Sequence, residues 1–248
     1  MKKSLNIAHR GFSSKYPENT MLAFKKGVEA GCEGIETDLH MTKDGIIVIC
    51  HDETINRTTN GEGYIKDYTY EKLCKFEAGI KFDKQFIGEK IPSLDELLDY
   101  VKDKDLLINL ELKNDIIFYD DLEKKVVDKV YEFKLEKNVI LSSFNHYSML
   151  KIKQYNPEIK TGLLYEAILY KPEEYIKTLK ADALHPPFYS LKDEKRVNEI
   201  KNNGIMINTY NVKKEEDMKR LIELEIDGII TDYPDKLYKI KNCSTDYK

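Results

Sequence analysis

Tryptophan is absent from this 248-residue chain. Absent too are any apolar stretch approaching the ~20 residues that span a bilayer, any C-x-x-C pair, any internal repeat and any low-complexity tract. The missing apolar stretch argues against a transmembrane helix. The start, MKKSLNIAHRGF, opens with a basic pair, but Asn6, His9 and Arg10 interrupt its apolar run before a signal-peptide core forms. Cys32, Cys50, Cys74 and Cys243 lie far apart, with neither zinc-ribbon spacing nor a disulfide framework, and read as reduced thiols of a cytoplasmic protein. There is no basic excess either: 40 Lys and Arg face 44 Asp and Glu, a net charge of −4. That balance, with a pI near 5.9, argues against nucleic acid as a partner. Histidine is scarce, five in all, so the position of each carries information.

What is present is a rhythm. Short β-type runs alternate with longer helix-type segments, the pattern of βα units on a parallel sheet. Strands are predicted over 5–9, 34–39 with a continuation over 46–50 after the Lys43-Asp44-Gly45 turn, 106–112, 139–143, 161–164, 183–185, 205–209 and 228–231. Helices fill the gaps, over 20–30, 94–102, 120–133, 146–154, 172–180, 194–202, 214–224 and a short one from Asp235. Ser93 followed by Glu96 makes a capping box, and Asn19 or Thr20 caps the first helix. This alternation in a chain of this length predicts an α/β fold, a (β/α)8 TIM barrel. Residues 52–91 break the rhythm and read as a small insertion after the second strand, too short to build a generous core of its own. The whole of 1–248 is therefore expected to be one domain, with a frayed tail from Cys243.

Strand side chains alternate faces. In GIETDL, Ile35, Thr37 and Leu39 point one way, while Glu36 and Asp38 point the other; in INLELK, Glu111 and Lys113 share a face. Carboxylates paired on a buried face are costly unless a cation joins them. Glu36, Asp38 and Glu111, from two neighbouring strand ends, make an oxygen-rich site for a hard divalent cation, Mg²⁺ or Ca²⁺. His9, His51 and His185 also end strands, whereas His40 and His146 fall at turn or helix-start positions. In a barrel the carboxyl ends of strands meet at one mouth, bringing His9, Glu36, Asp38, His51, Glu111, Lys113 and His185 together. Imidazoles to move protons, with a metal site, Arg10 and Lys113 to hold an anion, suit phosphoester cleavage. Structural readings coexist: Glu36 and Asp38 as salt-bridge partners of Arg10 and Lys113, Asn56-Arg57-Thr58-Thr59 as a turn, and the aromatic insertion as a solvated flap. Convergence on one mouth favours chemistry.

The segments AHRG, PENT, GIETDLHMTKDGIIVICHD, INRTTNGEG, IPSLDELL, LELK, SSF and DGIITDYPD follow one another over nearly the whole chain, and in this order the sequence resembles the glycerophosphodiester phosphodiesterase family. The resemblance implies a (β/α)8 barrel with an insertion after the second strand, His9 and His51 as an acid–base pair, and one divalent ion on Glu36, Asp38 and Glu111. It further implies that Arg10 and Lys113 bind phosphate. The implied substrate is a small glycerophosphodiester, such as glycerophosphocholine or glycerophosphoethanolamine, cleaved to glycerol 3-phosphate and an alcohol. Related phosphodiesterases suggest that a glycerol hydroxyl attacks first and forms a cyclic phosphate. Tyr210 in INTYNV stands where family members often carry tryptophan; it keeps an aromatic face and adds a hydroxyl, which bears on head-group preference. His185 in ALHPPF is expected at the mouth within reach of substrate, and Gly11 is expected to let the backbone approach the phosphate. Two alternatives are a lysophospholipase-D-like hydrolase, with an acyl channel lined by Tyr64, Tyr68, Tyr70, Phe76, Phe82 and Phe86, and a non-catalytic binding barrel. A complete set of site residues argues against the latter. The oligomeric state, including a homo-oligomer, stays open.

Overall fold

The computed structural model describes residues 4–243; most of the predicted tail lies outside the described residues. The chain runs β1 (Leu5–His9), α1 (Met21–Glu29), β2 (Gly34–Met41), β3 (Ile47–Ile49), α2 (Tyr70–Leu73), α3 (Leu94–Val101), β4 (Leu107–Leu112), α4 (Leu122–Glu132) and β5 (Val139–Ser143). It continues through α5 (His146–Tyr155), β6 (Lys160–Leu164), α6 (Pro172–Leu179), β7 (Ala183–His185), α7 (Glu194–Asn202), β8 (Met206–Thr209), α8 (Glu215–Glu223), β9 (Gly228–Thr231) and α9 (Pro234–Cys243). Parallel pairing passes from β2 through β4 to β9 in chain order, and β1 pairs with both β9 and β2, closing a TIM barrel. β3 lies outside this ring and pairs antiparallel with β2.

That antiparallel pairing explains one correction. β2 extends through His40 and Met41, which face Val48 and Ile47 of β3, so His40 is a buried strand residue rather than a turn residue. The last helix is also longer than the short segment expected. Outward-facing Ile35, Leu39, Ile108, Leu110 and Leu112 share one hydrophobic core with the helices. In α3, Leu94, Leu97, Leu98 and Val101 recur at the spacing of one helical face, and all four are buried. Ser93 and Glu96 form the capping box reciprocally. Thr20 caps α1 by accepting the Ala23 N–H, whereas Asn19 adopts φ 56° and sends its side chain elsewhere.

Residues 52–91 carry a second, smaller cluster. Ile55, Ile65, Leu73, Ala78 and Ile91 gather on Val48 and Cys50, so β3 and the residue after it form the floor of the insertion. Tyr68 meets Phe76 edge-on, and Phe86 meets both Tyr16 and Phe82.

Candidate active site

A cavity of about 560 Å³ opens at the carboxyl ends of the barrel strands. Its floor carries Glu36 on β2 and Glu111 on β4, and the buried Asp38, two residues beyond Glu36, pairs in register with Glu111. Oxygens from the three buried carboxyls lie within 4.8 Å of one another. Burial, then repulsion from Asp38, lifts the Glu36 carboxyl well above the usual range and raises Glu111 to about 7. Burial would lift Asp38 too, but Arg10, His51 and Lys113 outweigh it and keep that carboxyl low. Asp38 Oδ1 is buried without a hydrogen-bond partner. Three crowded carboxyls with an orphaned oxygen fit a hard divalent cation, so this cluster can hold a metal ion.

Two cations border the cluster. Arg10 sits in the left-handed region at φ 54°, and its backbone N–H donates to the carbonyl and to Oε2 of Glu36, at 2.9 and 3.1 Å. Its guanidinium bonds Glu18 at 3.0 Å and lies 3.3 Å from Asp38. Lys113 Nζ donates to Glu111 Oε1 at 2.9 Å. Burial opposes both positive charges, yet Asp38 holds the Arg10 proton more firmly than usual, and Glu111 together with Asp38 does the same for Lys113. Gly11, at φ 82°, also meets a packing need: a Cβ there would lie 2.6 Å from the Ala23 backbone, so a glycine admits the turn against α1.

Each of two histidines lining the cavity is paired with an aspartate. His9 Nδ1 lies 2.6 Å from Asp232 Oδ1, across the β1–β9 junction. Ser13, Asn211 and Lys213 also contact Asp232. His51 Nδ1 lies 2.7 Å from Asp52 Oδ1, and Arg57 grips both oxygens of Asp52 while also bonding Glu18. Hydrogen bonding holds both aspartates ionised against the effect of burial. An ionised carboxylate only accepts, so Nδ1 of each ring carries the proton and Nε2 is the nitrogen able to transfer one, that of His9 standing 3.9 Å from Glu36 Oε2. Burial also lowers the His9 pKa below its ordinary value.

Asp232, Asp52, Glu18 and Asn211 carry no role in the sequence reading, nor does Arg57 beyond a turn or Asn19 beyond a helix cap. Asn19 donates to Asp38 Oδ2 and accepts from the Thr37 hydroxyl, both at 2.8 Å, and so orients a carboxylate of the buried cluster. The adjacency of His51 and Asp52, and the position of Asp232 just beyond β9, were the available signals. Tyr210 lines the cavity, edge-on to Phe144 at 6.2 Å, with its hydroxyl donating to the Tyr165 carbonyl. His185 does not line it. Its ring fills space left by Gly162, where a Cβ would fall 2.5 Å from Nε2, and it is fully buried inside the barrel beside Asn208. Burial lowers its pKa to about 3. None of the six insertion aromatics lines the cavity.

Residues 9–236 match the glycerophosphoryl diester phosphodiesterase family. A glycerophosphodiester phosphodiesterase of Caldanaerobacter subterraneus subsp. tengcongensis is 45% identical over 238 residues, 96% of this chain and 98% of that protein. The crystal structure of a glycerophosphoryl diester phosphodiesterase, so described provisionally, from Silicibacter pomeroyi shares the fold with TM-score 0.89 at 23% identity, covering 99% of this chain and 95% of that one. An Oleispira antarctica phosphodiesterase, solved with the product sn-glycerol-3-phosphate, has TM-score 0.84 at 29% identity, covering 95% and 96%. With the family match running from the end of β1 into α9, the chain belongs to the glycerophosphoryl diester phosphodiesterase family of enzymes.

Proposed function

We propose that the protein hydrolyses small glycerophosphodiesters to glycerol 3-phosphate and an alcohol, using one divalent cation and the pair His9 and His51. The observation that carries this reading is the pair of Asp-oriented imidazoles beside a carboxyl cluster and two cations in one cavity. Arg10 and Lys113 bind the phosphate oxygens and offset charge that builds as a new P–O bond forms and the bond to the leaving alcohol breaks. Nε2 of one imidazole accepts the proton of the attacking oxygen, and Nε2 of the other, protonated, returns one to the leaving oxygen. Glu36, Asp38 and Glu111 would hold Mg²⁺ or Ca²⁺, which would supply Lewis-acid polarisation of the phosphoryl group. Tyr210 and Phe144 offer apolar faces to the carbon part of the substrate. The acylated-substrate reading receives no support from the insertion, whose aromatics stay out of the cavity. Unpaired Cys32, Cys50 and Cys74 accord with a cytoplasmic setting.

The deciding assay follows glycerol 3-phosphate release across a panel of glycerophosphodiesters, with chelator and with each divalent ion restored. Release should stop with chelator and return with Mg²⁺ or Ca²⁺; full activity in chelator defeats the metal reading. Cyclic glycerol phosphate appearing first would identify the substrate's own hydroxyl as the initial nucleophile. Activity confined to acylated substrates would favour the lysophospholipase-D-like alternative.

A further inference from the structure

His40 belongs to neither the carboxyl cluster nor the cavity wall, yet it is fully buried and both of its ring nitrogens are engaged. It follows Asp38 by two residues on β2, with its Nε2 3.3 Å from the backbone carbonyl of His51 and its Nδ1 2.8 Å from the Tyr119 hydroxyl. A carbonyl oxygen only accepts, so Nε2 carries the hydrogen; Nδ1 is then an acceptor, and Tyr119 donates to it. The direction of the whole chain of bonds is thereby set, from Tyr119 through His40 to His51.

This contact occurs where regular pairing has stopped. The β2–β3 ladder ends at Leu39 and Ile49. Beyond it, the Cys50 N–H still donates to the Asp38 carbonyl, and the His40 side chain takes up the carbonyl of the next residue, His51. Among the described residues, the His51 side chain itself is tied only to Asp52, its neighbour on the same loop. Tyr119 comes from the β4–α4 loop, which also carries Lys113 and Asp115 into the cavity. His40 therefore joins two walls of the site from beneath.

We propose that His40 is a positioning residue: oriented by Tyr119, it holds the His51 main chain and so sets where the His51 imidazole stands over the cavity. The inference rests on the acid–base role proposed for His51. Misplacing a reacting group by about 1 Å costs on the order of a hundredfold in rate, whereas substrate binding by Arg10 and Lys113 should persist. The expected signature is a fall in kcat at nearly constant KM.

The test compares His40→Leu, His40→Gln, Tyr119→Phe and His51→Ala in glycerophosphodiester hydrolysis, per folded enzyme checked by circular dichroism, with metal content measured. His40→Leu should lose roughly tenfold or more in kcat with KM within about twofold. His40→Gln, whose amide nitrogen can replace the Nε2–H donor, should recover most of that loss. Tyr119→Phe, altering a half-buried loop residue, should lose a few-fold in kcat and serves if His40→Leu fails to fold. In the His51→Ala background, His40→Leu should lower the residual rate no further. Wild-type kcat in both His40→Leu and Tyr119→Phe, or equal losses in the Leu and Gln variants, would overturn the inference. Full turnover in His51→Ala would instead overturn the acid–base reading beneath it.

Discussion

The two histidine–aspartate pairs at the mouth have similar lengths but different construction. His9 and Asp232 stand 223 positions apart in sequence and meet because β1 closes the barrel against β9. His51 and Asp52 are chain neighbours on a loop, and their geometry depends on Arg57 from the insertion and on Glu18. The first pair has side chains 16% and 15% exposed, the second 32% and 28%. Barrel closure thus builds one half of the site, while the other half is a loop held by an exposed ion-pair network and by His40.

The largest effects should come from the aspartates. Asp232→Asn replaces the acceptor of His9 Nδ1–H by a group that can favour the wrong tautomer, and should lower kcat on the order of a hundredfold or more. Asp52→Asn should cost less, because a solvated loop can readjust and water can replace part of the contact. Steady-state kinetics on both variants checks the order; equal losses would erase the distinction drawn between the two halves.

A smaller effect is expected from Arg57→Ala. The guanidinium is 46% exposed, so its ion pairs add little stability in water, and the melting temperature should shift by only a few degrees. Activity should fall several-fold, because Asp52 and Glu18 lose a shared clamp and Glu18 also braces Arg10. A large loss of melting temperature with unchanged kcat/KM would make Arg57 a structural residue instead.

The smallest change concerns the interior beneath the strand-built half. His185 is kept neutral in the fold by burial, with a pKa of about 3, against an ordinary value of 6.5. Below pH 6.5 the unfolded chain takes up a proton that the folded chain refuses, so this contribution to stability is complete above pH 6.5 and is lost as pH falls toward 3. The melting temperature should therefore fall on acidification from pH 7 to 5, and His185→Gln should flatten part of that slope. An unchanged slope in the variant would contradict a neutral buried imidazole.

Much of this was legible in the chain. Short β-type runs between helix-type segments marked the strands, period-two alternation gave the face shared by Glu36 and Asp38, and β1, β5, β7 and β9 begin and end where predicted. Asn19 and Thr20 were indistinguishable as caps, because both side chains can accept a backbone N–H; only the packing of Asn19 against Asp38 and Thr37 separated them. His185 was read at the mouth because strand ends point there, but the missing side chain of Gly162 opens space within the barrel, and the ring occupies it.

Sequence by itself determined the order of the elements, the carboxylates that share a strand face and the adjacency, though not the pairing, of His51 and Asp52, because these depend on local periodicity and chain order. Tertiary structure alone decided that Asp232 orients His9, that Arg57 and Glu18 brace the loop, and that His40 reaches the His51 carbonyl. Those contacts arise only when distant strand ends and an insertion are brought to one mouth, where side-chain direction and available volume choose each partner.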